Sequence, residues 1–165
     1  MKISNNGINT LKHFEGSVKL DGKHVIYDDK PGQPVNTKEP LPHGATIGYG
    51  HLIKPSEDFR DGITETVATE LLKQDIAVAE NTVNNLISVP LTQNQFDALV
   101  IFAYNIGNKN FANSTVVKYI NNPDFHSSIY PTMDAAWRAW SKSGEQKMPG
   151  LANRRDIELK LFHTI

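Results

Sequence analysis

Three short stretches in the first third of the chain carry side chains able to do chemistry together. They are Phe14-Glu15-Gly16, Tyr27-Asp28-Asp29 and Thr46-Ile47-Gly48-Tyr49-Gly50-His51. In order, they supply a carboxyl group, a second carboxylate and a hydroxyl on a glycine-rich segment. Cleaving a glycosidic bond requires an acid to protonate the leaving oxygen and a second carboxylate acting on the opposite face of the sugar. Glu15 and Asp29 are the candidates for that pair.

The surrounding pattern indicates what must hold these groups. Ile8, Leu11 and Phe14 recur every third residue, which predicts a short amphipathic helix with Ser4 as its N-cap and Gly16 as its stop. Glu15 then sits at the helix C-terminus, where the negative end of the dipole disfavours the ionised carboxylate. An acid that must keep its proton near neutral pH gains from that placement. Val25-Ile26-Tyr27 and Thr46–Gly50 read as short strands, and Gly48 and Gly50 clear one face for a close approach to the backbone. Between them, Pro31, Gly32, Pro34, Pro40, Pro42 and Gly44 exclude a regular element from about Lys30 to Gly44. Long irregular loops in compact domains are more often functional or mobile than structural.

From Thr64 to Ile87 the apolar positions Leu72, Ile76, Ala79, Val83 and Leu86 mark one face of a helix of about 24 residues, roughly 36 Å long. Its length fits a strut joining two lobes. After Pro90, Thr92 and Gln95 form a capping box. The almost wholly apolar run Phe96–Tyr104 that follows predicts a buried central helix, ended by Gly107. Shorter helices are expected over about 114–121, 132–141 and 150–163, with Trp137, Trp140, Leu151, Leu159 and Phe162 supplying packing. The division expected is a lobe over about 14–62, the linking helix at 64–87, and a helical lobe over 90–165 that also takes the first helix. Together they make one domain.

Composition removes several classes. There is no cysteine, hence no disulfide framework, thiolate metal site or cysteine nucleophile. Seventeen Lys and Arg against 18 Asp and Glu leave a formal charge of −1, without the basic excess of a nucleic-acid binder. The charge is uneven, acidic over 55–80 and basic over 137–165, and a basic end can attract an acidic polymer. The six histidines lack paired ligand spacing, and neither a G-x-S-x-G elbow nor a P-loop is present, so no metal or cofactor is expected. No apolar run of about 20 residues is present to span a membrane, and the opening MKISNNGINTLKHFEG holds no signal-like apolar stretch.

Taken together the motifs resemble those of the phage-type lysozymes, the endolysin muramidases of tailed phages. Glu15-Gly16, Tyr27-Asp28-Asp29, Thr46–His51, Leu91-Thr92-Gln93-Asn94-Gln95-Phe96-Asp97-Ala98-Leu99, Asn105-Ile106-Gly107, Phe111-Ala112-Asn113-Ser114-Thr115 and Gly150–Glu158 follow the family's E-G, Y-x-D, T-I-G-x-G-H, L-T-x-x-Q-x-D-A-L, N-x-G, F-x-x-S-T and G-L-x-x-R-R-x-x-E in order. The resemblance implies an α+β lysozyme-like fold: a small β-containing lobe and a larger helical lobe, joined by a long helix with a cleft between them. It implies hydrolysis, with inversion, of the β-1,4 bond between N-acetylmuramic acid and N-acetylglucosamine in peptidoglycan. Glu15 becomes the proton donor, Asp29 the second carboxylate and Thr46 the residue that positions water. His51, Tyr104, Asn105 and Ser114 become candidates for holding the glycan, and Arg154 a candidate partner for Glu15. The partner implied is the glycan strand, met by a monomer that waits in the host cytoplasm until a holin opens the membrane.

One departure bears on the site. The family keeps its aspartate close before its threonine, whereas 17 positions separate Asp29 from Thr46, the extra residues lying in the proline-rich stretch. Asp28 is therefore a rival to Asp29, which alone keeps the Y-x-D spacing, and Glu39 within the insertion is a more distant one. Two other readings stay open: a lytic transglycosylase acting on the same bond without water, and a wall-binding module without activity.

Overall fold

The computed structural model describes residues 1–165 and contains seven helices and eight short strands. Helix α1 spans Asn5–Glu15; β1 is Lys19–Leu20, β2 Lys23–His24, β3 Tyr27–Asp28, β4 Gln33–Pro34, β5 Ala45–Ile47 and β6 His51–Leu52. Helices α2 (Glu65–Leu86), α3 (Gln93–Ile106), α4 (Asn108–Ala112), α5 (Thr115–Asn121) and α6 (Met133–Arg138) follow. The hairpin strands β7 (Lys142–Ser143) and β8 (Gln146–Lys147) then lead into α7 (Pro149–Phe162). The chain forms two compact units, Asn9–Asp75 on one hand and Met1–Ile8 with Ile76–Ile165 on the other.

In the smaller unit the four-stranded sheet has the antiparallel order β4-β3-β5-β6. Tyr27 lies opposite both Pro34 and Thr46, and Thr46 opposite Leu52. Pro34 is tolerated because β4 is an edge. A separate β1–β2 hairpin turns at Asp21-Gly22, both at positive φ. That Asp-Gly pair is a strong hairpin signal to which the periodicity gave no weight.

Two expectations need correcting. The Thr46–Gly50 run is not one strand: the chain reverses between β5 and β6, with Gly48 at φ +64° and Gly50 at φ +88°. The glycines serve the turn first, because side chains other than glycine seldom adopt those angles. A Cβ on Gly48 would also stand 3.3 Å from that of Ala68. The proline-rich stretch is likewise not wholly irregular, since β4 lies within it. The Arg60 guanidinium holds its later part by donating to the carbonyls of Thr37 and Glu39.

In the larger unit α3 is buried from Phe96 to Ala103 and carries the predicted capping box: Thr92 Oγ1 accepts from Gln95 N–H, and Gln95 Oε1 accepts from Thr92 N–H. Phe102 stacks on Trp137, with Phe111 and Phe162 at their edges. The short α4 and the β7–β8 hairpin carry too little periodicity to be read in advance, and α6 ends at Arg138, short of the expected 141. Buried Asp97 anchors the start of the chain, accepting from Ser4 N–H at 3.0 Å, from the Ser4 hydroxyl and from Gln93 Nε2 at 2.7 Å. Ser4 also caps α1 by accepting from Gly7 N–H.

Gly7 gives a direct test of this packing. Alanine within a helix normally gains about 1 kcal/mol over glycine. Here an added Cβ would lie 2.6 Å from Ile3 Cγ1 and 2.9 Å from Asp97 Cγ. Gly7→Ala is expected to destabilise by about 1–3 kcal/mol, the range for overpacking, measured as a lower urea midpoint with unchanged slope.

Candidate active site

Glu15 ends α1, and Gly16 at φ +62° turns the chain away, its N–H donating to Lys12 O. The half-buried carboxyl lies over the β5–β6 turn, where a Cβ on Gly50 would stand 3.5 Å from Glu15 Oε2. Thr46 is buried in β5, and its hydroxyl donates to the Gly44 carbonyl at 2.8 Å. With its one proton committed, Oγ1 faces any further partner as an acceptor.

Directly opposed residues of an antiparallel pair project to the same face. Tyr27 and Thr46 therefore share one face, whereas Asp28, opposite Ala45, projects to the other. Asp28 is also occupied locally: Oδ1 accepts from Lys30 N–H at 3.1 Å, and its carbonyl accepts from Gly32 N–H. Asp29 is exposed just beyond β3, and its charge reaches the Tyr27 phenol. That phenol is pushed above its ordinary pKa by burial, then by Glu15, then by Asp29, with a Gly50 backbone hydrogen bond opposing. Tyr27 is thus a buried group on the Thr46 face whose phenol feels both negative charges. Periodicity alone marked it only as a strand residue.

His51 projects to the opposite face from Thr46, being paired with Ile47. It is buried between two carboxylates, with Nδ1 2.9 Å from Asp75 Oδ2 and Nε2 2.9 Å from Glu57 Oε2. Both ring nitrogens are engaged, so His51 clamps β6 to α2 and to the 54–57 loop. Glu65, which no motif marked, gathers four partners at the start of α2. Lys12 Nζ lies at 2.9 Å, His24 Nε2 at 2.7 Å, the Tyr49 hydroxyl at 2.8 Å and Lys19 Nζ at 3.4 Å. Although burial alone would raise it, hydrogen bonds from Lys12, His24 and Tyr49 hold Glu65 well below the usual carboxylate range. Burial and the same carboxylate push the Tyr49 phenol up to about 12.

Tyr104, Asn105, Ser114 and Arg154 all belong to the other unit. Tyr104 packs half-buried against that unit's core. Asn105 Oδ1 accepts from Arg155 Nη2 at 2.6 Å, and Ser114 caps α5 through Val117 N–H while lining a cavity of about 270 Å³ with Tyr130 and Trp140. Arg154 Nε reaches Glu158 Oε1 at 3.4 Å. Glu158 is fully buried, accepting also from Arg155 Nη2 at 2.9 Å and Trp137 Nε1 at 2.8 Å. Burial pushes the Glu158 carboxyl up, with Arg155 opposing, and pulls the Arg155 guanidinium down, with Glu158 opposing.

This arrangement of fold and side chains matches a known family. Residues 31–158 match the family described as Phage lysozyme, a span that includes Thr46 and begins after Glu15 and Asp29. An endolysin of Salmonella phage P22 is 35% identical over 158 residues, covering 94% of each chain. An endolysin of Bacillus phage PZA is also 35% identical, over 167 residues and 99% of this chain, but this chain spans only 56% of that relative's length. Among solved structures, the muramidase domain of SpmX from Asticaccaulis excentricus is 32% identical and covers 99% of both chains with a TM-score of 0.74. The chain belongs to the phage lysozyme family, with the α+β lysozyme-like fold its motifs imply.

The His51 clamp predicts a pH signature. Burial would lower the imidazole, but hydrogen bonds to Glu57 and Asp75 outweigh it and the pKa is raised. The His51 contribution is therefore complete below the ordinary imidazole value and lost as pH rises through the raised one. Burial would raise Glu57, but the Lys54 backbone N–H and His51 outweigh it and the pKa is lowered. Its contribution is complete above the ordinary carboxylate value and lost as pH falls through the depressed one. The clamp should stabilise most between about pH 4.5 and 6.5. In thermal melts, the Tm gap between wild type and His51→Gln should be widest there and narrow as pH rises through the raised imidazole value.

Proposed function

We propose that the protein is a muramidase hydrolysing the β-1,4 bond between N-acetylmuramic acid and N-acetylglucosamine in bacterial peptidoglycan, with inversion at the anomeric carbon. The observation carrying this reading is the Thr46 hydroxyl, whose proton is tied to Gly44 on the face shared with Tyr27. A water donating one hydrogen to Thr46 Oγ1 and the other to Asp29 presents its lone pair to the anomeric carbon. As the carbon–oxygen bond to the leaving sugar breaks, Glu15 gives its proton to that oxygen and Asp29 receives the proton of the water. The products are a free reducing end and a free hydroxyl. The chain ends with Glu15 ionised and Asp29 protonated, and solvent resets both.

The reading extends to a monomer that reaches the wall after a holin has opened the host membrane, and the endolysin relatives support the wall as the target. No helix of the chain is long and apolar enough to cross a membrane.

Mass spectrometry of digested peptidoglycan tests the chemistry, with reducing ends expected. Anhydro ends would instead identify a transglycosylase, and an undigested wall a binding module. Glu15→Gln should lower kcat by about 10²- to 10⁴-fold, the usual contribution of a general acid. Asp29→Asn should lose activity comparably, while Asp28→Asn should keep it, since Asp28 serves its own turn on the other face of the sheet.

A further inference from the structure

A cavity of about 660 Å³ in the smaller unit takes no part in the chemistry proposed above. Ligand pockets usually enclose about 300–1,000 Å³. Two of its lining residues adjoin Thr46: Gly44, whose carbonyl holds the Thr46 hydroxyl at 2.8 Å, and Leu52, whose Cα is opposite that of Thr46. Opposed residues share a face, so Leu52, 59% exposed, carries the Thr46 face into the cavity. Another wall is the proline-rich insertion from Pro40 to His43, and it is held in place. The Pro42 carbonyl accepts from Ala45 N–H at 3.2 Å, and Arg60 ties the stretch just before it through the Thr37 and Glu39 carbonyls.

The lining combines apolar surface with positive charge that the chain does not use. Pro40, Leu41, Pro42, Leu52, Ile53 and Pro55 supply the apolar part. Both carboxylates of the lining are engaged. Glu57 Oε2 takes Lys54 N–H at 2.9 Å and lies 2.9 Å from His51 Nε2, while Asp58 Oδ1 accepts from Arg60 N–H at 3.1 Å. The exposed Lys54 ammonium and His43 ring make no hydrogen bond or ion pair within the chain. The glycan offers hydroxyl and acetamido groups but no cation partner. The short peptide stem borne by muramic acid offers alanine methyls and free carboxylates, which suit this lining in both respects. We propose that the cavity holds the peptide stem of the muramic acid whose bond is cut, with the Lys54 ammonium donating to a stem carboxylate. The stem hangs from the sugar ring that faces Thr46, and four extended residues span about 13–14 Å, ample to enter past Leu52. This inference rests on the muramidase reading and deepens it, making the stem part of what the enzyme recognises.

Two substrates separate stem from sugar: uncrosslinked glycan strands with their stems, and the same strands stripped by an amidase that cuts stem from muramic acid. KM, read from the release of reducing ends, should be about tenfold higher on stripped strands, as expected for losing one hydrogen bond to a charged group. Lys54→Gln, which removes the charge from an exposed side chain, should lose most of that ratio. A purely structural effect of the substitution would change both KM values alike and leave the ratio intact. A wild-type ratio near one, or a ratio that Lys54→Gln retains, would overturn the proposal. A second readout needs no activity. In ¹⁵N-labelled protein, the amides of Gly44 and Ile53 should shift when the amidase-released stem peptide is added at millimolar concentration, and should shift less in Lys54→Gln. Unmoved amides in wild type, or equal shifts in both proteins, would also overturn it. Wild-type protein that cuts neither strand would instead sink the muramidase assignment and leave the titration to judge the cavity separately.

Discussion

The smaller unit depends on one carboxylate. Its strands are two or three residues long, and ladders that short supply few hydrogen bonds with which to fix the pieces between them. Glu65 supplies what they lack. From the first turn of α2, where the helix dipole favours a negative charge, it holds the last turn of α1 through Lys12 and the β1–β2 hairpin through Lys19 and His24. Through Tyr49 it also holds the β5–β6 turn. These are the segments that carry Glu15 and flank Thr46. Exposed ion pairs are individually weak, but a network sharing one acceptor, with His24 fully buried, fixes geometry more effectively than separate pairs.

The larger unit answers a similar need differently. Arg155 and Glu158 are both removed from water, which carries a desolvation cost that only good geometry offsets. Glu158 takes hydrogen bonds from Trp137, Arg154 and Arg155, while Arg155 also reaches Asn105 and the Trp140 carbonyl and lies over the Phe102 ring. One buried pair thereby registers α7 against α3 and α6. Removing a single partner from such a pair typically costs about 3–5 kcal/mol, because the survivor is left charged and alone. The R-R-x-x-E spacing is thus explained first by packing.

Helices with strong periodicity and local caps were legible in the sequence. Thr92–Gln95 gives α3, Ser4 and Gly16 bound α1, and the apolar face through Ile76 and Val83 gives α2. What periodicity could not reach was set by distant partners or by backbone angles. Gly48 and Gly50 read equally well as strand or turn, and only the return of β6 onto β5 decides between them. His51 belongs to a motif, yet strand parity and two remote carboxylates, Glu57 and Asp75, assign its nitrogens. Glu65 stands in an ordinary acidic helix start, and nothing local distinguishes it from Glu70. Tyr27 was in view as a strand residue, but its place opposite Thr46 depends on a strand that returns more than 15 residues later.

The insertion illustrates the same division between sequence distance and spatial distance. Seventeen positions between Asp29 and Thr46 make their partnership look insecure in the sequence. In the sheet, however, β3 pairs directly with β5, and the inserted residues leave and return on the β4 side, at an edge. An antiparallel register keeps opposed Cα atoms about 4.5–5.5 Å apart whatever the length of the connection. Loop closure adds little, since each doubling of loop length costs only about 0.6 kcal/mol. Arg60 then ties the later part of the loop back to its own unit. The chain can therefore lengthen between these two residues without moving Tyr27 from opposite Thr46, and that pairing, not the spacing of the motif, keeps the aspartate and the hydroxyl in one neighbourhood.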